Sequence, residues 1–279
     1  MSRKTVALLL FSDIIEIMLE KFSKKDKKIY FDAHFHYAVC IEKGISIPDF
    51  ENDIKWLGIS CAHSIQEFEI QKKAPSIIIQ AYGMHPQNAE NENIKESADF
   101  LENLLKNNLI SFIGETGFDF FTEEFKSTAK QQEEIWNIQL ELALNYNIPL
   151  VIHCRKANHK LFEYSKQLKK LQEVLFHSFM GSPVEAQSLL DRGINGYFSF
   201  GKQLLNGNKK ARACVCELPS ERVLAETDAP FQFLKGEQYT DLKDIIKVNE
   251  EIIKLSHGFW GCPRSCINFK KGQPFFVKM

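Results

Sequence analysis

No stretch of this chain approaches the roughly 20 consecutive apolar residues that span a bilayer, so a membrane-embedded protein is not expected. An excess of one charge is also missing. With 35 basic residues against 36 acidic ones, no broad positive field exists to hold long nucleic acid by counterion release, and any polyanion must be gripped locally. The seven cysteines are odd in number and scattered over residues 40 to 266, in a chain too long to depend on disulfides. This points to a reducing compartment, the cytoplasm. Cys262 and Cys266 lie close together, but two such residues favour ordinary thiols over a metal site. Internal repeats, low-complexity tracts and linkers are absent from residues 29 to 279 as well, so one large domain is the economical arrangement.

Residues 1 to 28 stand apart. A basic start and an apolar run suggest a signal peptide, but Ser12-Asp13 interrupts the run and no small-residue cleavage site follows. Ile14, Ile15, Ile17, Met18 and Leu19 instead continue as an amphipathic helix ending in a lysine-rich stretch. The spacing therefore predicts a helical extension over 1–28, placed before a main domain over 29–279.

What the main domain does contain is a succession of short, unalternating apolar runs. After the opening strand at Ile29 they cover 56–61, 76–82, 109–114, 149–153, 174–177, 196–200 and 222–226, and they read as strands buried on both faces. That makes about eight, as a TIM-type (β/α)8 barrel requires. Helical segments lie between them. In 131–147, Ile135, Ile138, Leu142 and Tyr146 recur on one face, and 100–105 is also helical. Ser182-Pro183-Val184-Glu185 is a capping box with Pro at the first helical position, and Gly193 closes that helix.

Active sites of such barrels sit where strands end, and there the polar residues form a consistent set. They are His34 and His36, His85, Glu115, His153 with Arg155, His177, and Asp228. By strand periodicity Asp32, His34 and His36 share one side. His63, His159 and His257 read as ordinary loop or helix residues. Four imidazoles with Glu115 and Asp228 exceed the needs of one tetrahedral ion, whereas two divalent ions sharing a carboxylate use all six. Zinc, manganese and magnesium all suit mixed His and carboxylate ligands. Such a centre suits phosphoryl hydrolysis, with His85 and Arg155 holding phosphate.

The stretches Asp32-Ala-His-Phe-His36, Gly83-Met-His-Pro86, Ile113-Gly-Glu-Thr-Gly-Phe-Asp119, His153-Cys-Arg155, Phe176-His-Ser-Phe-Met-Gly-Ser182 and Glu226-Thr-Asp-Ala-Pro230 follow one another in order. In them the chain resembles the TatD family of metal-dependent deoxyribonucleases, among the amidohydrolase-like TIM barrels. The resemblance implies one ion on His34, His36 and Asp228, a second on His153 and His177, and Glu115 bridging the two. It further implies that Asp228 orients or deprotonates the attacking water, that His85 contacts the scissile phosphate, and that Asp119 fixes this geometry. DNA is the implied substrate. The chain departs from the family at Gln87 and Lys156, where a second His and an acidic residue are common, and after Pro230, where it is shorter. Two other readings are a hydrolase of another ester or amide, such as an aminoacyl-tRNA or nucleotide ester, and a catalytically silent barrel serving as a binding protein.

Overall fold

The computed structural model describes residues 29–49 and 55–256. The expected helix over 1–28 and the Cys262/Cys266 stretch lie outside them. Eight strands, β1 (Ile29–Phe35), β2 (Lys55–Ala62), β3 (Ile78–Tyr82), β4 (Phe112–Asp119), β5 (Leu150–Arg155), β6 (Val174–Phe176), β7 (Gly196–Phe200) and β8 (Val223–Ala225), pair in sequence order. Every pairing is parallel. Past the end of β8, Asp228 N–H donates to His34 O at 2.9 Å and His36 N–H to Ala229 O at 2.8 Å. These bonds draw the last strand onto the first, so the sheet is a nearly closed barrel of the TIM type. No helix among the described residues is long and apolar enough to cross a membrane.

Each strand sends at least one side chain into a central plug, from Phe31 in β1 through Phe112 in β4 to Leu224 in β8. A buried aromatic of this kind contributes roughly 1.5–3 kcal/mol, and the plug forms a close-packed floor beneath the strand ends. A larger apolar layer, including Tyr30, Phe35, Ile113 and Phe118, lies between strands and helices.

The two-residue period fails twice, and both failures lie at site residues. Register shifts between Asp32 and Phe35 in β1 and between Ile113 and Thr116 in β4. Phe31 and Ala33 therefore join the plug while Phe35 packs outward, and Asp32 does not share the face of His34 and His36. Its carboxylate instead accepts from Thr227 N at 2.8 Å and Thr227 Oγ1 at 2.6 Å, tying β1 to the end of β8. In β4 the motif residues Gly114 to Asp119 lie within the strand rather than after it. Gly114 and Gly117 permit this with φ of +150° and +137°, values that side chains rarely adopt.

Helix α1 (Ile94–Lys106) is longer than the sequence suggests, and α2 (Ala129–Tyr146) is rotated relative to the expected face. Its buried stripe is Gln132, Ile135, Trp136, Gln139, Leu140 and Ala143. The two glutamines are inward because each amide matches backbone groups. Gln139 bonds both Met84 N (2.8 Å) and Met84 O (3.0 Å), and Gln132 bonds Asp119 N (2.9 Å) and Asp119 O (3.0 Å). The helix thus fixes the ends of β3 and β4. Helix α3 (Pro183–Asp191) carries the expected capping box of Ser182 and Glu185.

One buried cation secures the loop after β8. Lys202 is 1% exposed, and its Nζ lies 2.5 Å from Glu237 Oε2 and 2.6 Å from Asp244 Oδ2. Lys202→Ala leaves Asp244 with only the exposed Lys247, 2.7 Å from its Oδ1, and is expected to cost about 2 kcal/mol, below the range for fully buried pairs because that partner remains and Glu237 reaches solvent. Urea denaturation of the two proteins measures this; an unchanged midpoint would contradict it.

Candidate active site

The strand ends bring His34, His36, His85, Glu115, His153, His177 and Asp228 into one buried cluster. Glu115 is at its centre, carried inward by the break in β4. Its Oε2 is 3.3 Å from His34 Nε2 and 3.8 Å from His36 Nε2. Its Oε1 is 2.7 Å from His153 Nδ1 and 2.6 Å from His177 Nε2. Asp228 Oδ1 completes the first side, 3.2 Å from His36 Nε2 and 3.5 Å from His34 Nε2. The left-handed backbone at Asp228 (φ +53°) turns it there. His85 Nε2 lies 3.3 Å from Glu115 Oε1. Arg155 stands apart from the cluster, with its guanidinium 4.0 Å over the Phe121 ring and Nη1 3.6 Å from Asp119 Oδ2.

His63 corrects the sequence reading, which made it an ordinary loop residue. It directly follows β2, and its Nε2 is 3.1 Å from Glu115 Oε2 while its ring stacks on His85 at 4.5 Å. Its place just past a strand end is the same signal that marked the other histidines, without a neighbouring motif to reinforce it. His159 packs beside Phe120 at the rim. Glu226, also unassigned from sequence, is fully buried; it accepts from Ser199 Oγ at 2.6 Å and faces His177 Nδ1 at 3.6 Å.

The far side of each ring determines what the near side offers. The carbonyl of Cys61 can only accept, so His36 Nδ1, 3.2 Å away, carries the proton and Nε2 presents a lone pair. Asp119 Oδ2 accepts from His153 Nε2 at 2.9 Å, so the neutral ring turns the lone pair of Nδ1 toward Glu115; burial opposes the ring's cation, but the hydrogen bonds to Asp119 and Glu115 outweigh it and raise the group. In His85 the order is reversed. Gln87 N–H donates to its Nδ1 at 3.2 Å, so Nε2 bears the proton and donates. The neutral ring of His85 is thereby a donor, whereas His36 and His153 are acceptors facing acceptor carboxylates.

With both rings neutral, electron pairs face each other at 2.7 Å between His153 Nδ1 and Glu115 Oε1 and at 3.2 Å between His36 Nε2 and Asp228 Oδ1, and a proton or a metal cation must lie between them. Four groups of three donors have all their ligand atoms within 4.8 Å of one another, and three of these groups contain Glu115. These separations approximate the roughly 3.3 Å edge of a tetrahedron with metal–nitrogen bonds near 2.0–2.1 Å. The residues present fit divalent cations.

The electrostatics run the same way. Burial alone would raise the Asp228 and Glu115 carboxyls, but the surrounding imidazoles outweigh it and hold both well below the usual carboxylate range. Burial opposes the His177 cation, yet the Glu115 charge prevails and pushes His177 up to about 9. His63 and His85 go the other way. Burial lowers each to about 4 against the pull of Glu115, so both are neutral near pH 7.

The cluster opens into a cavity of about 1100 Å³ whose rim includes Phe121, Arg155, Lys156, Lys210, Phe231 and Phe233. The family described as TatD related DNase matches residues 31–257. An uncharacterized metal-dependent hydrolase of Mycoplasma genitalium is 33% identical over 216 residues, covering 72% of this chain and 81% of that protein. A 3'-5' ssDNA/RNA exonuclease TatD of Edwardsiella piscicida is 31% identical over 177 residues, covering 62% of this chain and 66% of that protein. The crystal structure of a TatD homologue from Escherichia coli superposes with a TM-score of 0.68 at 22% identity, over 81% of this chain and 90% of the other. The last supports the fold.

Proposed function

Since the chain belongs to the family of TatD-related DNases, we propose that this metal-dependent hydrolase cleaves phosphodiester bonds of DNA at a centre of two divalent ions. The observation that carries the reading is the division of Glu115: Oε1 faces His153 and His177, and Oε2 faces His34 and His36, with His85 and His63 flanking the two sides at 3.3 and 3.1 Å. On this reading His34, His36 and Asp228 hold one ion, His153 and His177 hold the other, and Glu115 lies between them. Zinc, manganese or magnesium bound there would act as a Lewis acid toward a phosphate oxygen and lower the pKa of an attacking water.

The remaining steps belong to the chain's own side chains. Asp228 keeps its carboxylate ionised, with Oδ2 accepting from Gln232 Nε2 at 2.8 Å. It is the base within reach of an attacking water. His85 presents an Nε2–H toward the cluster and is the donor to the scissile phosphate. Arg155, at the mouth, offers a planar pair of donors to a neighbouring phosphate. Asp119 binds both His153 Nε2 and Gln87 Nε2, at 2.9 and 2.8 Å, and so keeps His153 in its ligating tautomer. Relatives named for digesting ssDNA and RNA from the 3' end support a single-stranded substrate.

Protein stripped of metal by a chelator is expected to leave single-stranded DNA intact, and addition of magnesium, manganese or zinc to restore cleavage. Duplex DNA and RNA assayed in parallel define the preference. Undiminished cleavage after chelation would overturn the two-ion reading.

A further inference from the structure

Nine large apolar side chains are exposed among the described residues, and four of them, Phe121, Met180, Phe231 and Phe233, line the one cavity above the cluster. Single exposed apolar residues need no explanation, but a group around a catalytic mouth does. Phe231 and Phe233 are 45% and 56% exposed. They flank Gln232, whose Nε2 donates to Asp228 Oδ2 and to Ser178 Oγ. Phe231 N–H donates to Asp228 O at 2.7 Å, and Pro230 O accepts from Thr240 N at 3.0 Å. The two phenyl rings are thus presented to solvent by a loop anchored to a site carboxylate. The Phe231 ring stands 5.0 Å from the His36 ring.

The same wall holds an unspent donor. Gln203 is 6% exposed and lines the cavity; its Oε1 accepts from Gly201 N at 2.8 Å, while its Nε2 has no hydrogen-bond partner. A buried amide left this way costs free energy unless a ligand acceptor meets it. Across the barrel, beyond β4 and β5, Arg155 and Lys156 lie over Phe121 at 4.0 and 4.7 Å, placing positive charge on the opposite rim.

We infer that Phe231, Phe233 and Gln203 form a nucleobase-binding wall, on which unpaired bases stack while Gln203 Nε2 donates to an acceptor on a base edge and the phosphates run toward Arg155 and Lys156. Flat rings facing cations across a groove are the combination that holds single strands without regard to sequence, because every base has a stacking face. Bases paired within a duplex do not offer that face. The inference rests on the nucleic-acid reading above and specifies which part of the polymer the mouth recognises.

The test is binding of full-length protein to two short, slowly cleaved phosphorothioate strands of equal length, one bearing thymine on every sugar and one wholly abasic. Their charge is identical, so a difference in Kd reports the bases. The intact protein is expected to favour the thymine strand by about tenfold or more. In Phe233→Ala the preference should fall to within about twofold of unity, and in Val184→Ala, exposed outside the cavity, it should persist. Equal affinities in the unaltered protein, or a preference retained in Phe233→Ala, would overturn the inference. The thymine preference without cleavage of unmodified DNA under any metal would uphold the wall and remove the hydrolytic reading. Cleavage without the preference would do the reverse.

Discussion

Glu115→Gln is expected to lower DNA hydrolysis by at least about a thousandfold, equivalent to roughly 4 kcal/mol of barrier. Gln occupies the same volume but has one oxygen, no charge, and an NH2 in place of the second acceptor. Whichever way the amide lies, one histidine pair meets a donor where Glu115 presents an anion at 2.6 to 3.8 Å. Both halves of the cluster depend on this carboxylate, so the variant is expected to lose bound metal as well as turnover. Elemental analysis of the purified variant alongside a single-stranded DNA assay measures both. Full activity with full metal content would show that Glu115 is not shared.

Gly117→Ala is expected to destabilise the fold by at least about 3 kcal/mol. Two costs add. The backbone at Gly117 has φ +137°, strained for any side chain, and a Cβ there would lie 2.0 Å from His153 O. That carbonyl belongs to β5, paired with Gly117 in register, so relief requires β4 and β5 to part. Parting them moves Asp119 away from His153 Nε2, and the variant should bind metal poorly even where it remains folded. Thermal or urea unfolding gives the first effect and metal titration the second. Gly207→Ala is a suitable comparison, because it shares a positive φ of +79° but meets nothing within 4 Å.

The barrel was legible because parallel strands covered on both faces leave continuous apolar runs, and because six of the eight runs led into a polar motif. Gly196–Phe200 matches its strand to the residue. Less legible were the places where tertiary contacts override period. The broken registers at Asp32 and at Gly114–Glu115 depend on partners some 195 and 38 residues away in sequence, Thr227 and His153. No local pattern encodes those distances. The face of α2 was misjudged for a related reason: Gln132 and Gln139 look solvated in sequence, yet their amides satisfy the backbone beside Met84 and Asp119. His63 was overlooked because a single imidazole after a strand has no neighbouring signature, and only the barrel's closure brings it to Glu115.

The seam between the first and last strands also has a bearing on biosynthesis. His36 and Asp228, 192 positions apart in sequence, meet only when the chain closes on itself through the bonds of Asp228 to His34 and of His36 to Ala229. A nascent polypeptide still lacking residues beyond β7 has its histidines and Glu115 but not Asp228, the second carboxylate of the site. Contacts so distant in sequence slow folding, because the intervening loop must be closed before they form. A chain that ends before β8 therefore lacks Asp228, and the full set of site residues comes together only with the closing of the ring.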